Sequence, residues 1–276
     1  MRLVIAFDSS TDHLAVGVAR LADDDTKPQM LAAVDFPARR AALGALLPTV
    51  RELLADHELA LADVAVVAAG RGPGSFTGVR IGVASAKGLA HGLGIPLTGL
   101  STLDAAGWRF CEHTGLVGVV GDAMRGEVYP GLLRCGKGRC ERLDTDRVSR
   151  PRAAAEAWAA QLTEPVMLTG NGLAKYAEMF AELLGERATI ADESLWTPTG
   201  VSLIDAAWAE SGPVSLRTLA SLTREQGYAL AGPGALLPVY TRLSDAEEAE
   251  RDRARVAADN AAVPSSGVSG PLGGER

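Results

Sequence analysis

The spacing of apolar residues changes period several times along the chain, and each change marks an element. Leu3 to Phe7, Leu14 to Ala19 and Met30 to Phe36 are short apolar or alternating runs separated by turn-rich segments, among them Ala22 to Gln29. They predict an antiparallel three-strand meander. Ala45 to Asp56 then places Leu46, Leu47, Val50, Leu53 and Leu54 at helical spacing, with Pro48 requiring the helix to begin close by or to kink. A buried strand is expected at Val64 to Ala69, a helix from about Thr77 to His91, and a strand at Pro96 to Leu100. The order is βββαβα, its parallel strands joined by helical crossovers.

After Leu100 the same order runs again. Strands are expected at Val117 to Val120, Gly126 to Leu133 and Glu141 to Val148, then a helix at Pro151 to Gln161, a strand at Val166 to Thr169 and a helix at Leu173 to Leu184. Two βββαβα units in tandem predict an α/β protein of the actin-like ATPase and sugar-kinase fold class, two ribonuclease-H-like lobes facing a cleft. The lobes are expected at 1–104 and 105–244, with the last helix returning to the first lobe. Residues 245–276 are charged and then rich in Gly, Pro and Ser, too polar to bury their own surface, and read as a disordered tail.

Composition narrows the function. In 276 residues, 47% are hydrophobic and only 5% aromatic, so the core is to be built from Val, Leu, Ile and Ala. A net charge of -7 argues against bulk neutralisation of nucleic-acid phosphates, so any RNA contact needs a local patch or a basic partner. Cys111, Cys135 and Cys140 lack disulfide-framework spacing and read as free thiols in a reducing compartment. His13, His57, His91 and His113 show no metal-ligand spacing, so no bound metal is expected. With no signal peptide and no apolar run long enough for a membrane span, the expected location is the cytoplasm.

The candidate chemistry centres on Gly70 to Pro96, GRGPGSFTGVRIGVASAKGLAHGLGIP. Its glycine density suggests a phosphate loop, but neither the P-loop nor the dinucleotide spacing fits. Helix N-terminal amides flanked by Arg71 and Arg80 suit an anion. Yet Gly78, Gly82, Ser85 and Leu89 fall on one helical face of mostly small side chains, a face that lets another helix backbone approach closely. Packing against the protein's own lobe accounts equally well for that stripe. In the first hairpin, Asp8 and Ser10 could hold a vestigial nucleotide, or Asp8 could simply cap a turn. The matching hairpin, GDAMRGEVY, offers Asp122 but has Ala123 and Met124 where close approach to a phosphate favours Gly and a hydroxyl. Gly170 and Gly172 follow a strand and precede a helix, where this fold class places adenosine, though short glycine loops are common at such junctions without any ligand.

Gly72 to Ala105 as a whole, with DSST near the start, DAMRGEVY, GNG and LPVYTRLSDAEE, resembles the bacterial TsaB (YeaZ) family of tRNA threonylcarbamoyladenosine biosynthesis proteins over residues 1 to about 248. The resemblance implies a paralogue of the catalytic subunit TsaD that has lost its chemistry. TsaD-like proteins hold a metal through histidines in a segment like HHxExH, where this chain reads STLDAA, with Thr102 and Ala106 at positions that would need imidazoles. It departs from many family members in AALGALLP, Ala41 to Pro48, where they carry a polar HSE-like stretch.

The implied role is a noncatalytic subunit that binds TsaD as a heterodimer and activates it, with TsaE as a further partner and tRNA reached only through the complex. The expected binding surface comprises Leu46, Leu47, Val50, Gly78, Ile81, Gly82, Ser85 and Leu89, which could also form a homodimer. Gly82→Arg is expected to leave the monomer folded and abolish binding. The alternatives are an independent ATP-dependent small-molecule kinase and a peptidase, the latter without a catalytic motif behind it.

Overall fold

The computed structural model describes residues 1–22, 26–39, 41–209, 214–239 and 253. The first meander is β1 (Leu3–Asp8), β2 (His13–Arg20) and β3 (Gln29–Pro37), followed by α1 (Ala42–Asp56), β4 (Val64–Gly70), α2 (Phe76–Leu93) and β5 (Leu97–Leu100). Helix α1 starts six residues before Pro48 and runs through it. Helix α2 has defined ends. The Ser75 side chain accepts from the Gly78 amide, and Gly94 closes the helix in the left-handed region at φ 62°.

The second unit is β6 (Gly115–Asp122), β7 (Val128–Gly136), β8 (Arg139–Arg142), α4 (Pro151–Gln161), β9 (Val166–Thr169), α5 (Leu173–Leu184) and β10 (Ala188–Ile190), with α3 (Thr102–Gly107) between the units. The sheets run β3-β2-β1-β4-β5 and β8-β7-β6-β9-β10, the same order twice. This is the duplicated ribonuclease-H-like arrangement of the actin-like class.

Two expected strands shift for local reasons. Met124, Arg125 and Gly126 take φ of 61°, 50° and 77°, so the turn occupies them and β7 begins only at Val128. The strand expected over Glu141 to Val148 stops at Arg142, because Asp144 and Asp146 fold back onto its guanidinium at 2.5 and 3.0 Å. Cys135 and Cys140 are not free thiols as expected. They stand opposite each other across the β7–β8 hairpin, Cα atoms 4.1 Å apart, and form a disulfide, while Cys111 is free. Strand pairing makes the bond, and linear spacing does not display it.

Helices α6 (Gly200–Trp208), α7 (Leu216–Ala220) and α8 (Arg224–Ala231) complete the described structure. They were expected within the 105–244 lobe with only a last helix returning. Instead α6 packs on β1, β2 and β3, α7 on β4 and α8 on β5, all in the first sheet. The contact is close: a Cβ at Gly17 would overlap the Gly200 carbonyl. The first sheet is therefore covered on both faces. Leu3, Ile5 and Phe7 of β1 join the core beneath α1 and α2, and Val4 and Ala6 join the core beneath α6. That burial on both faces is why β1 reads as a continuous apolar run. The second sheet is covered by α4 and α5 on one face, while Leu103 and Ala106 of α3 join the core on the other. The tail expected at 245–276 lies outside the described residues, Arg253 apart.

Candidate functional site: a filled cleft and an open helix pair

The parallel strands end around a cleft between the two sheets, the place where this fold class puts its ligands. Asp8 ends β1 and is only 2% exposed. Its carboxylate accepts from the Ser10 amide at 2.5 Å and from the Thr102 hydroxyl at 2.6 Å. Burial raises the Asp8 carboxyl above its ordinary range, although these hydrogen bonds pull it down.

Three glycines of the glycine-rich segment seat this first hairpin. A Cβ at Gly70 would overlap the Asp8 carboxylate, one at Gly74 the Ser10 carbonyl, and one at Gly78 the Ser9 carbonyl. The hydroxyl of Ser9 donates to the Gly78 carbonyl at 2.8 Å, and the Ser75 amide donates to the Ser10 carbonyl at 2.7 Å. The close approach that a phosphate would need is taken by the chain's own backbone.

On the second lobe Asp122 is held by Lys175 at 2.5 Å, and its amide donates to Asn171 at 2.9 Å. Side chains at Gly170 or Gly172 would run into the Val120 backbone, so these glycines serve packing on β6. Ser10, Asp122 and Gly170 line the cleft, with Asp8 beneath Ser10. The space left is about 20 Å³, enough for one water molecule and far too small for a nucleotide. Thr102 is committed to Asp8, and Ala106 to the core of the second lobe.

The expected binding surface is reorganised. Leu46 and Val50 are 1% and 2% exposed and belong to the core beneath α1 and α2, so they cannot anchor a partner. Gly78 and Gly82 face the sheet, and a Cβ at Gly82 would lie 3.1 Å from the Ser9 hydroxyl. Ile81, Ser85 and Leu89 are half-buried.

What α1 and α2 do present is a neighbouring phase of the same helices. Leu47 is 46% exposed and Leu43, one turn earlier, 76%. Along α2 the exposed positions Phe76, Arg80, Ala84, Gly88 and Gly92 fall at intervals of four, with the Arg80 guanidinium 3.7 Å from the Phe76 ring centroid. A Cβ at Gly44, Gly88 or Gly92 would meet nothing within 4 Å. The small-residue face exists, but Ala84, Gly88 and Gly92 form it. The signal was present in the four-residue spacing, and only the orientation of the helix on the sheet chooses between the two glycine stripes.

Residues 37–233 match the family model described as TsaD, tRNA N6-adenosine threonylcarbamoyltransferase. The chain is 29% identical over 247 residues to the tRNA threonylcarbamoyladenosine biosynthesis protein TsaB of Bacillus subtilis, covering 88% of this chain and 96% of that one. It is 36% identical over 141 residues to TsaB of Escherichia coli, half of this chain and 60% of the other. YeaZ from Pseudomonas aeruginosa superposes with a TM-score of 0.65 at 27% identity, over 87% of this chain and all of that one.

The chain belongs to the TsaB/YeaZ family, related to TsaD. Its members are biosynthesis proteins for threonylcarbamoyladenosine in tRNA. No described helix is long and apolar enough to cross a membrane. For a TsaB-type chain, the filled cleft and the open helix pair are the two features that any functional account has to explain together.

Proposed function

We propose that this TsaB-family chain is a noncatalytic subunit that binds TsaD through α1 and α2 and activates it for threonylcarbamoyladenosine formation on tRNA. The observation carrying this reading is the set of exposed, unfilled glycines, Gly44, Gly88 and Gly92, beside exposed Leu43 and Leu47. A glycine inside an exposed helix costs about 1 kcal/mol relative to alanine, and nothing among the described residues requires one there. Close approach of another helix pair does. The same face offers itself to a second copy of the chain, so TsaD and self-association compete for it.

The alternative, an independent ATP-dependent kinase, needs a cleft that admits a nucleotide, and the space between the lobes argues against it. The test is a titration of TsaD by calorimetry with wild-type chain and with Leu43→Asp/Leu47→Asp, alongside ATP turnover by each protein alone and with TsaD and TsaE. The expected result is TsaD binding lost in the double variant and turnover dependent on TsaD. Rapid ATP hydrolysis by the isolated chain, abolished by Asp8→Ala, would overturn the reading.

A further inference from the structure

The Cys135–Cys140 disulfide lies where an external reagent can reach it. A groove of about 910 Å³ is walled by the β7–β8 hairpin on one side and by α6 on the other, and both cysteines line it. Cys135 is only 4% exposed, whereas Cys140 is half-buried, so an attacking group in the groove meets Cys140 first. The third cysteine is a poor attacker, because burial and the nearby Asp205 and Glu112 push the Cys111 thiol up and keep it protonated.

The hairpin does not need the bond for its shape. Its ladder pairs Leu133 with Arg142, Arg134 with Glu141 and Gly136 with Arg139, and the chain turns at Lys137 and Gly138 with φ of 55° and 73°. The Gly138 amide docks the tip by donating to the Cys111 carbonyl at 3.1 Å, and Asp104, Asp144 and Asp146 hold Arg142 at the far end. The bond spans a sequence separation of only 5, too short a loop for a large entropic gain.

The fold also accommodates the reduced pair. The Gly107 carbonyl at the end of α3 lies 3.8 Å from the Cys135 Sγ and 3.6 Å from the Cys140 Sγ. A disulfide sulfur has no hydrogen to give, but either thiol can donate to that carbonyl. Reduction does remove the covalent tie on β8, a four-residue strand at the edge of its sheet that, among the described residues, pairs with β7 alone.

We propose that Cys135–Cys140 is a reversible thiol–disulfide switch in the groove wall, fixing β8 when oxidised and letting it open locally when reduced. Its co-substrate is a protein dithiol. One thiolate of that dithiol attacks the Cys140 Sγ, the Cys135–Cys140 bond breaks, and the Cys135 Sγ leaves as a thiolate and takes a proton. The second thiol of the dithiol then loses its proton and attacks the mixed disulfide, releasing Cys140, which is protonated in turn. Two electrons and two protons pass to the pair, and the dithiol leaves as a disulfide. The switch stands apart from the partner reading, since it acts on the second sheet and α1 and α2 cover the first.

The test starts from the oxidised full chain, with thiols counted by maleimide mass shift and amide hydrogen exchange followed in both redox states. A C-x-x-C dithiol protein, without denaturant, should expose the Cys135 and Cys140 thiols beside the free Cys111, at a rate within about tenfold of that for the urea-unfolded chain. The same dithiol protein without its second cysteine should be trapped on Cys140. Exchange over residues 136–142 should be about tenfold faster in the reduced chain, with β1 and β6 unchanged, and Cys135→Ser/Cys140→Ser should match the reduced chain in any redox buffer. Reduction more than about tenfold slower in the native than in the unfolded chain would make the bond a buried structural tie and overturn the proposal. Trapping on Cys135, exchange over residues 136–142 that reduction leaves unchanged, or loss of the cooperative thermal transition on reduction would each overturn it too.

Discussion

Gly88 separates an exposed glycine tolerated by chance from one kept for a partner. It lies inside α2 on the exposed face, and a Cβ there meets nothing within 4 Å. Replacing it by Ala or Arg removes the backbone-entropy penalty of a helical glycine, a gain of up to about 1 kcal/mol for either residue. For a chain of this size that raises Tm by about 2–4 °C. Binding should move the other way. If a helix of TsaD packs with its backbone close to Gly88, the arginine must be expelled or buried without a counter-ion, and an unpaired buried charge costs several kcal/mol. Every 1.4 kcal/mol is tenfold in affinity, so Gly88→Arg should weaken TsaD binding by about 100-fold or more, with Gly88→Ala in between. Thermal unfolding of the isolated chain, calorimetry against TsaD and sedimentation of the chain alone give the three readouts. A Gly88→Arg chain that is more stable and still binds TsaD with wild-type affinity would refute the reasoning.

Gly78→Ala should destabilise the fold by about 3 kcal/mol in urea unfolding, because its Cβ would overlap the Ser9 carbonyl; Gly82→Arg should fail to fold, contrary to the sequence-based expectation. Asp8→Asn tests the raised carboxyl. Burial favours its protonated form in the folded chain, so that contribution is present below the ordinary carboxylate range and lost as pH rises through the raised value. The wild type should therefore lose stability relative to Asp8→Asn as pH rises from the ordinary carboxylate range through the raised value, as followed by urea midpoints, the Thr102 hydroxyl turning to accept from the new amide. Arg142→Met leaves Asp104, Asp144 and Asp146 facing one another without their shared cation, and should cost about 3 kcal/mol by the same measurement.

Local patterning alone determined much of this protein. The meander, α4, β9 and α5 follow from apolar period and end signals, since each element buries one stripe or face whose spacing is written in consecutive residues. The duplicated strand order followed because connection lengths leave few topologies for two such units. What needed the tertiary structure was everything set by contacts between distant segments. The Cys135–Cys140 bond depends on strand register, and the attachment of α6 to the first sheet depends on Gly17 meeting Gly200. The cleft is filled because Ser9 and Ser10 lie against Gly74 and Gly78. As letters, Gly78, Gly82, Gly88 and Gly92 are equivalent. A glycine records only that a side chain is absent, and the three-dimensional neighbourhood decides whether that absence makes room for the chain's own hairpin, as at Gly78, or for another molecule, as we propose at Gly88.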